Sequence, residues 1–343
     1  MEGTLTSTPI TPQFFTLAVQ RSGALSAPRW AGDVVLPYYT AVKGRFVYAA
    51  NYLNDTISAY YLDSTDVVQL LSTRPCGGAN PSYVALDRTG THVVVANFYY
   101  PPASVSVYDL TTTGSFGSGP VSTADVEGFA SCSITDPTNR FVLVADYLLG
   151  RVYVLAYDGY TGMLGEVSSS VSTGTGTTNP QRIVFGAGRS PRVFVLCQHT
   201  GTVQTYLWDD SAGVLTGPTH IVSTRVPPVT TSLPYDMVMH PSGSFLFVCN
   251  RVSDTVLTFS VRSDGVLTLV QSVPSAGTFP RSLAMVGPNV LVVANYVSQS
   301  VVSFSFSSQT YLTQVSSRAL DRRPVSLAVV LPSAPDIECP PCI

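Results

Sequence analysis

Three arginines stand where the chain enters or leaves short apolar segments: Arg182 in Asn179-Pro180-Gln181-Arg182, Arg281 in Phe279-Pro280-Arg281-Ser282, and Arg251 directly after Asn250. A guanidinium presents a planar fork of donors, so such a set suits a carboxylate, a phosphate or a developing oxyanion. Asp236 and Asp254 offer the competing role, because Arg251 and Arg281 could instead be structural partners of these carboxylates. Asp146 stands at a turn where most equivalent positions carry Asn; it could orient or deprotonate water, or accept backbone N–H groups as a turn carboxylate. His199 beside Gln198 is the one histidine in a turn near this set, and a general base needs a pKa near neutrality and a substrate proton within reach. The alternative is a solvated turn histidine. Gln181, beside Arg182, completes the candidate polar set.

These residues recur at matching places in a repeat. An apolar strand, a polar turn and an alternating strand appear at 46–63, 92–110, 141–158, 193–209, 245–262 and 290–307. The turn residues Asn51, Asn97, Asp146, Cys197, Asn250 and Asn295 are separated by 46, 49, 51, 53 and 45 residues. A period of that size in an all-strand chain implies an all-β propeller with one four-stranded blade per repeat. Innermost strands are expected at 34–41, 81–87, 130–136, 180–186, 234–240, 280–286 and 324–331, which makes a seven-bladed β-propeller. Pro81, Pro180, Pro234, Pro280 and Pro324 open five of them, where a missing N–H removes no ladder bond.

The last of these segments has no blade after it, and the strand at 13–20, with a partner at 24–30, has none before it. The N-terminal strands are therefore expected to join the C-terminal blade and close the ring, which removes an open sheet edge. Residues 1–12 read as a disordered leader, 13–331 as one propeller domain and 332–343 as a Pro/Cys tail. The Thr/Gly/Ser stretches 111–124 and 171–179 read as links between blades. No helix is indicated.

In a propeller the innermost strands line a central channel, and the loops entering them form one rim. That rim is predicted to carry Ser82 and Tyr83, Ser131 and Cys132, Gln181 and Arg182, Tyr235 and Asp236, and Arg281 and Ser282. The residues just past the turns, Tyr52, Phe98, Tyr147, Gln198, Arg251 and Tyr296, join them.

Composition narrows the partners. Of 343 residues, 45% are hydrophobic and only 11% charged, with a net charge of −3 and Lys43 as the sole lysine. That balance offers nothing to a phosphate backbone, so no nucleic acid is expected. No apolar run has the length of a membrane span and the first residues lack a signal-peptide pattern, so the chain reads as soluble and cytoplasmic. Cys76, Cys132, Cys197 and Cys249 are scattered, three of them in predicted strands as core residues. Cys339-Pro-Pro-Cys342 lacks a second ligand pair for zinc, and no metal site is indicated.

The motifs Asn-Pro-Ser-Tyr-Val-Ala-Leu-Asp (80–87), Val-Val-Val-Ala-Asn-Phe (93–98), His-Pro-Ser-Gly (240–243) and Phe-Pro-Arg-Ser-Leu-Ala (279–284) resemble the seven-bladed lactonase family. That family includes propeller-type 6-phosphogluconolactonases and fungal carboxy-muconate cyclases. The resemblance covers roughly 34–331 and implies lactone opening or formation in the channel by His, Arg and Glu side chains, with no metal or organic cofactor. It places Arg281, Asp146 and Arg251 on family positions. Three positions depart: Gln181-Arg182 where the family has Arg-His, Cys197-Gln198 where it has Asn-Glu, and Ser131-Cys132 near its His pair. The resemblance thus implies a small anionic lactone as partner, while the substituted positions favour the alternative of a catalytically inactive propeller that binds or scaffolds a protein.

Overall fold

The computed structural model describes residues 13–35, 37–99, 102–174, 177–186, 192–227 and 231–330. Six four-stranded antiparallel sheets follow one another along the chain. They span 39–75, 81–126, 130–172, 180–223, 234–274 and 280–319, and are called blades 1 to 6 below. In each, the strands pair in chain order from the inside outward.

The strand sequences explain this layering. Second strands such as His92–Asn97 and Val290–Asn295 are buried at every position, because a neighbouring blade covers each face. They are correspondingly continuous apolar runs rather than alternating ones. Outer strands such as Met163–Ser172 and Val214–Ser223 are largely exposed and rich in Ser and Thr. Among the described residues the only helical piece is one 3₁₀ turn, Tyr52–Asn54.

Among the described residues the core falls into seven apolar clusters, one for each contact between neighbouring positions of the ring. Five join blades 1 to 6 in sequence. Another packs Leu17, Val19, Leu25 and Leu327 against Val290, Val292 and Val301 of blade 6. The last packs Phe14 and Val34 against Val47, Ala49 and Tyr60 of blade 1. The chain's two ends therefore fill the seventh position together.

The closure differs in detail from the predicted strands. Gln13–Thr16 pairs with Arg29–Asp33, so the partner strand overlaps the expected 24–30 only at Arg29 and Trp30 and runs on to Asp33, while Val19 bridges Leu25 within the same hairpin. Residues 324–330 sit at the innermost position without strand assignment. Side chains hold them there: the Leu327 N–H donates to Ser282 Oγ at 3.1 Å, and Ser326 Oγ lies 3.0 Å from Thr40 Oγ1. Ser303 donates to Gly23 O and Arg318 to Ser26 O, tying the hairpin to blade 6.

Two other boundaries move. The first inner strand is Tyr39–Lys43 rather than 34–41, since Pro37 cannot donate to the ladder and the strand starts after it. Ser122–Val126, which begins within the expected link 111–124, is the outer strand of blade 2. Cys76, Cys132, Cys197 and Cys249 are buried and free. Residues 1–12 and 331–343, with Cys339 and Cys342, lie outside the described residues.

Closure by 324–330 yields a prediction. A chain ending at Arg323 is expected to lose the single cooperative thermal transition of the full chain, and Ser326→Ala to cost about 1 kcal/mol. Calorimetry that finds the shortened chain melting like the full-length one would contradict this closure.

Candidate functional site in the channel mouth

The inner strands share a local irregularity that positions the site. In blades 2 to 6 the pairing with the second strand skips one residue just after the strand's first position, at Ser82, Ser131, Gln181, Tyr235 and Arg281. A bulge of this kind re-aims the extra side chain out of the sheet. Ser82, Ser131, Gln181 and Tyr235 accordingly line a cavity of about 200 Å³ at the end of the channel where the inner strands begin. Tyr38, which follows Pro37, takes the equivalent place in blade 1. The other wall is built from the residues after the turns, including Tyr52, Phe98, Tyr147, Gln198 and Arg251.

Three arginines converge here. The guanidinium carbons of Arg251, Arg281 and Arg182 lie 4.1, 5.3 and 5.6 Å from the centre of the Tyr235 ring. Their electrostatic situations differ. Arg182 is buried, with Nε donating to Asp236 Oδ1 at 3.2 Å and Nη1 to the Gln181 carbonyl. Burial alone would lower its pKa, but Asp236 and then Tyr39 hold the guanidinium firmly charged. Asp236 also accepts N–H groups from Met237 and, across blades, from Leu283.

Arg251 and Arg281 have no carboxylate partner among the described residues. The Nε atom of each is buried and makes no hydrogen bond. Asp254, the partner considered for them, instead accepts the Phe279 N–H at 2.6 Å and holds that residue at a φ of 63°. Such a φ is strained for a bulky side chain, and it brings the Phe279 ring under Arg251 at 4.7 Å. Burial, followed by its like-charged neighbour Arg281, lowers the pKa of Arg251. An arginine nevertheless keeps its proton. Arg251 thus lines the cavity and Arg281 lies beside it over the Tyr235 ring, neither with a carboxylate counter-charge among the described residues.

Neutral donors surround them. The Tyr38 and Tyr235 hydroxyls are 2.7 Å apart, and burial raises the pKa of Tyr235, which keeps its proton. Tyr147 donates to Gln198 Oε1 at 2.7 Å, which fixes the amide, while Gln198 Nε2 is buried without a partner. Burial also pushes the Cys132 thiol up to about 11, so it is not a thiolate at neutral pH.

Two of the predicted catalytic residues lie elsewhere. His199 is exposed, lines no part of the cavity and holds its loop through its backbone N–H to Thr178 O. Asp146 is fully buried, and its Oδ1 accepts the N–H groups of Phe129, Leu148 and Leu149. The asparagines at equivalent positions work in the opposite sense. Asn97, Asn250 and Asn295 donate to linker carbonyls of Cys76, Thr224 and Ser275. In blade 4, where Cys197 replaces Asn, Gln204 supplies the amide to Thr173 O. Sequence reasoning missed Tyr38. Aligning Pro37 with the other strand-opening prolines would have found it.

A second cavity, of about 690 Å³, opens at the other end of the channel. Leu86, Ile134, Ile183, Phe185 and Met239 supply its apolar part. The imidazole at its edge, His240, is already bonded to Ser242 Oγ and Pro288 O, and Arg88 reaches the carbonyls of Asp136 and Thr135. Asp210 also lines this cavity.

Comparison with known proteins agrees with this architecture. Residues 6–329 match the family described as Lactonase, 7-bladed beta-propeller, and the chain belongs to that family. It is 24% identical over 298 residues to a 6-phosphogluconolactonase of Bacillus subtilis, covering 79% of this chain and 80% of the relative. A crystal structure of a protein from Lactobacillus plantarum superposes with a TM-score of 0.81 at 21% identity, over 91% of this chain and 93% of that one. The periplasmic gluconolactonase of Pseudomonas aeruginosa superposes with a TM-score of 0.75, also at 21% identity, over 86% and 89%. The two structural likenesses concern the fold.

The placement of Asp146 makes a pH prediction. Burial raises its pKa, against the three N–H groups that lower it. Between the unfolded-state value near 3.9 and the raised folded value, the folded chain binds more protons, so stability falls as pH rises through that window. Asp146→Asn keeps an oxygen for the three donors and removes the charge. It should melt at or above the wild-type temperature at pH 7, with a flatter dependence of Tm on pH above 4. A large loss of stability at pH 7 would show that the charge itself is needed.

Proposed function

We propose that the protein hydrolyses a sugar lactone carrying an anionic group, bound at the channel mouth where the inner strands begin. The observation that carries this reading is the pair of unpartnered guanidiniums, Arg251 and Arg281, around Tyr235 and beside the spare amide of Gln198. Water attacks the lactone carbonyl carbon and negative charge grows on the carbonyl oxygen. Gln198 Nε2 and Arg251 supply donors for that oxygen; donors already in place and shielded from water are the most effective kind. The ring C–O bond then breaks. The leaving alkoxide takes a proton from the Tyr38–Tyr235 pair, which is replenished by the proton released from the attacking water. The products are the hydroxy acid's carboxylate and, after ionisation, one proton. The relative from Bacillus subtilis carries the name of this activity, which supports lactones as the substrate class.

A second reading, a binding platform without turnover, rests on a different observation. Two residues past the turn residue, five of the six loops around the mouth expose an apolar side chain: Leu53, Tyr99, Leu148, Val252 and Val297. In blade 4 the place is held by His199. A ring of this kind suits a protein partner. The described cavity wall also holds no carboxylate and no imidazole to act as a base.

One assay separates the two. Pure protein should open 6-phosphogluconolactone faster than buffer does, and Arg251→Gln or Arg281→Gln should each lower kcat/KM by roughly 10–100-fold, in line with a lost charge-assisted contact. A panel of lactones opening at the buffer rate would end the hydrolase reading.

A further inference from the structure

The lactone ring is itself uncharged, because its carboxyl group is esterified, so the cations at the mouth must answer another group of the ligand. They are also more numerous than the two so far described. Arg323, on the linker entering the seventh position, places its guanidinium 5.3 Å from the centre of the Tyr296 ring. Arg281 lies 5.2 Å from that same ring. Arg281 in turn shares Tyr235 with Arg251. Three guanidiniums are thus strung along two tyrosines from the rim inward. The nearest acid in sequence, Asp321, faces Arg322 at 3.9 Å, and Arg323 has no carboxylate partner among the described residues. Like charges held this close repel unless an anion joins them. A single negative charge would leave the set unbalanced, whereas a phosphate monoester brings close to two at neutral pH, with three acceptor oxygens.

We infer that Arg323 is a specificity residue: with Arg281 it holds the phosphate of a phosphorylated sugar lactone at the rim, while the lactone ring reaches inward to Arg251 and Gln198. This rests on that channel mouth being the substrate site. Arg323 is exposed, and its side chain supports no packed core, so its replacement tests recognition rather than folding.

Calorimetric titration of the full chain with 6-phosphogluconate and with gluconate reads the inference without relying on turnover. The wild type should bind the phosphorylated acid at least about tenfold more tightly, the effect of one charge-assisted contact. Arg323→Gln should reduce that preference about tenfold, and Arg323→Lys should retain most of it. An unchanged ratio in Arg323→Gln, or an equal weakening of both acids, would overturn the role given to Arg323 while leaving the mouth as a binding site. Failure of the wild type to bind either acid would overturn the site and the inference together.

Discussion

The ion pair between Arg182 and Asp236 sits where the channel, the blades and the candidate site meet. Both residues are 3% exposed, and the pair joins blade 4 to blade 5. Asp236 extends the link to blade 6 through the Leu283 N–H. Arg182 extends it to the aromatic wall, lying 4.8 Å from the Tyr39 ring and 5.0 Å from that of Tyr83. Those two rings stack at 4.2 Å and join blades 1 and 2. A buried charge pair adds little net stability relative to an apolar pair, but it penalises any arrangement in which one partner is left alone. At the centre of a ring of separate sheets, that penalty fixes the register of neighbouring blades. It also removes Asp236 from the reach of Arg251 and Arg281, and this is why two cations remain for a ligand.

Around that centre, serines near the start of several inner strands add to the blade-to-blade stitching. Ser82 donates to Ala130 O, Ser131 to Pro180 O, and Ser282 accepts from Leu327 N. Ser326 and Thr40 complete the circuit. Each is a short polar link laid beside an apolar interblade cluster, so specificity of neighbour and burial of surface act on the same seam. The bulges that free Gln181 and Tyr235 for the cavity, and the one at Arg281 beside them, lie at this level too. Binding groups are therefore set by the most interconnected part of the fold, not by the tips of mobile loops, which favours preorganised recognition.

Much of this was legible in the amino-acid sequence, for identifiable reasons. The spacing of Asn51, Asn97, Asp146, Cys197, Asn250 and Asn295 reports the blade length directly. The strand-opening prolines mark the register of the inner strands, so Gln181, Arg182, Tyr235, Asp236 and Arg281 could be placed on one rim. Pairing was not legible. Asp236 and Asp254 were equally available to the arginines, and the choice depends on bulges and on the positive φ of Phe279, neither of which leaves a mark in composition or periodicity. Asp146, departing from an Asn repeat, was open to catalysis or to a turn carboxylate's role, and its three backbone N–H partners match the second. Arg323 was visible only as the residue before Pro324, because no repeat unit follows to show what that position does.

Asp236 neutralises Arg182 inside the chain, and so leaves Arg251 and Arg281 to a ligand. A thermodynamic cycle tests this most directly: denaturant unfolding of Arg182→Met, Asp236→Leu and the double variant. Each single change should destabilise by about 3–5 kcal/mol, because it strands a buried charge, and the double variant should recover most of that loss. Additive losses, or single variants as stable as the wild type, would contradict the central pair and with it the reason that Arg251 and Arg281 are left to a ligand.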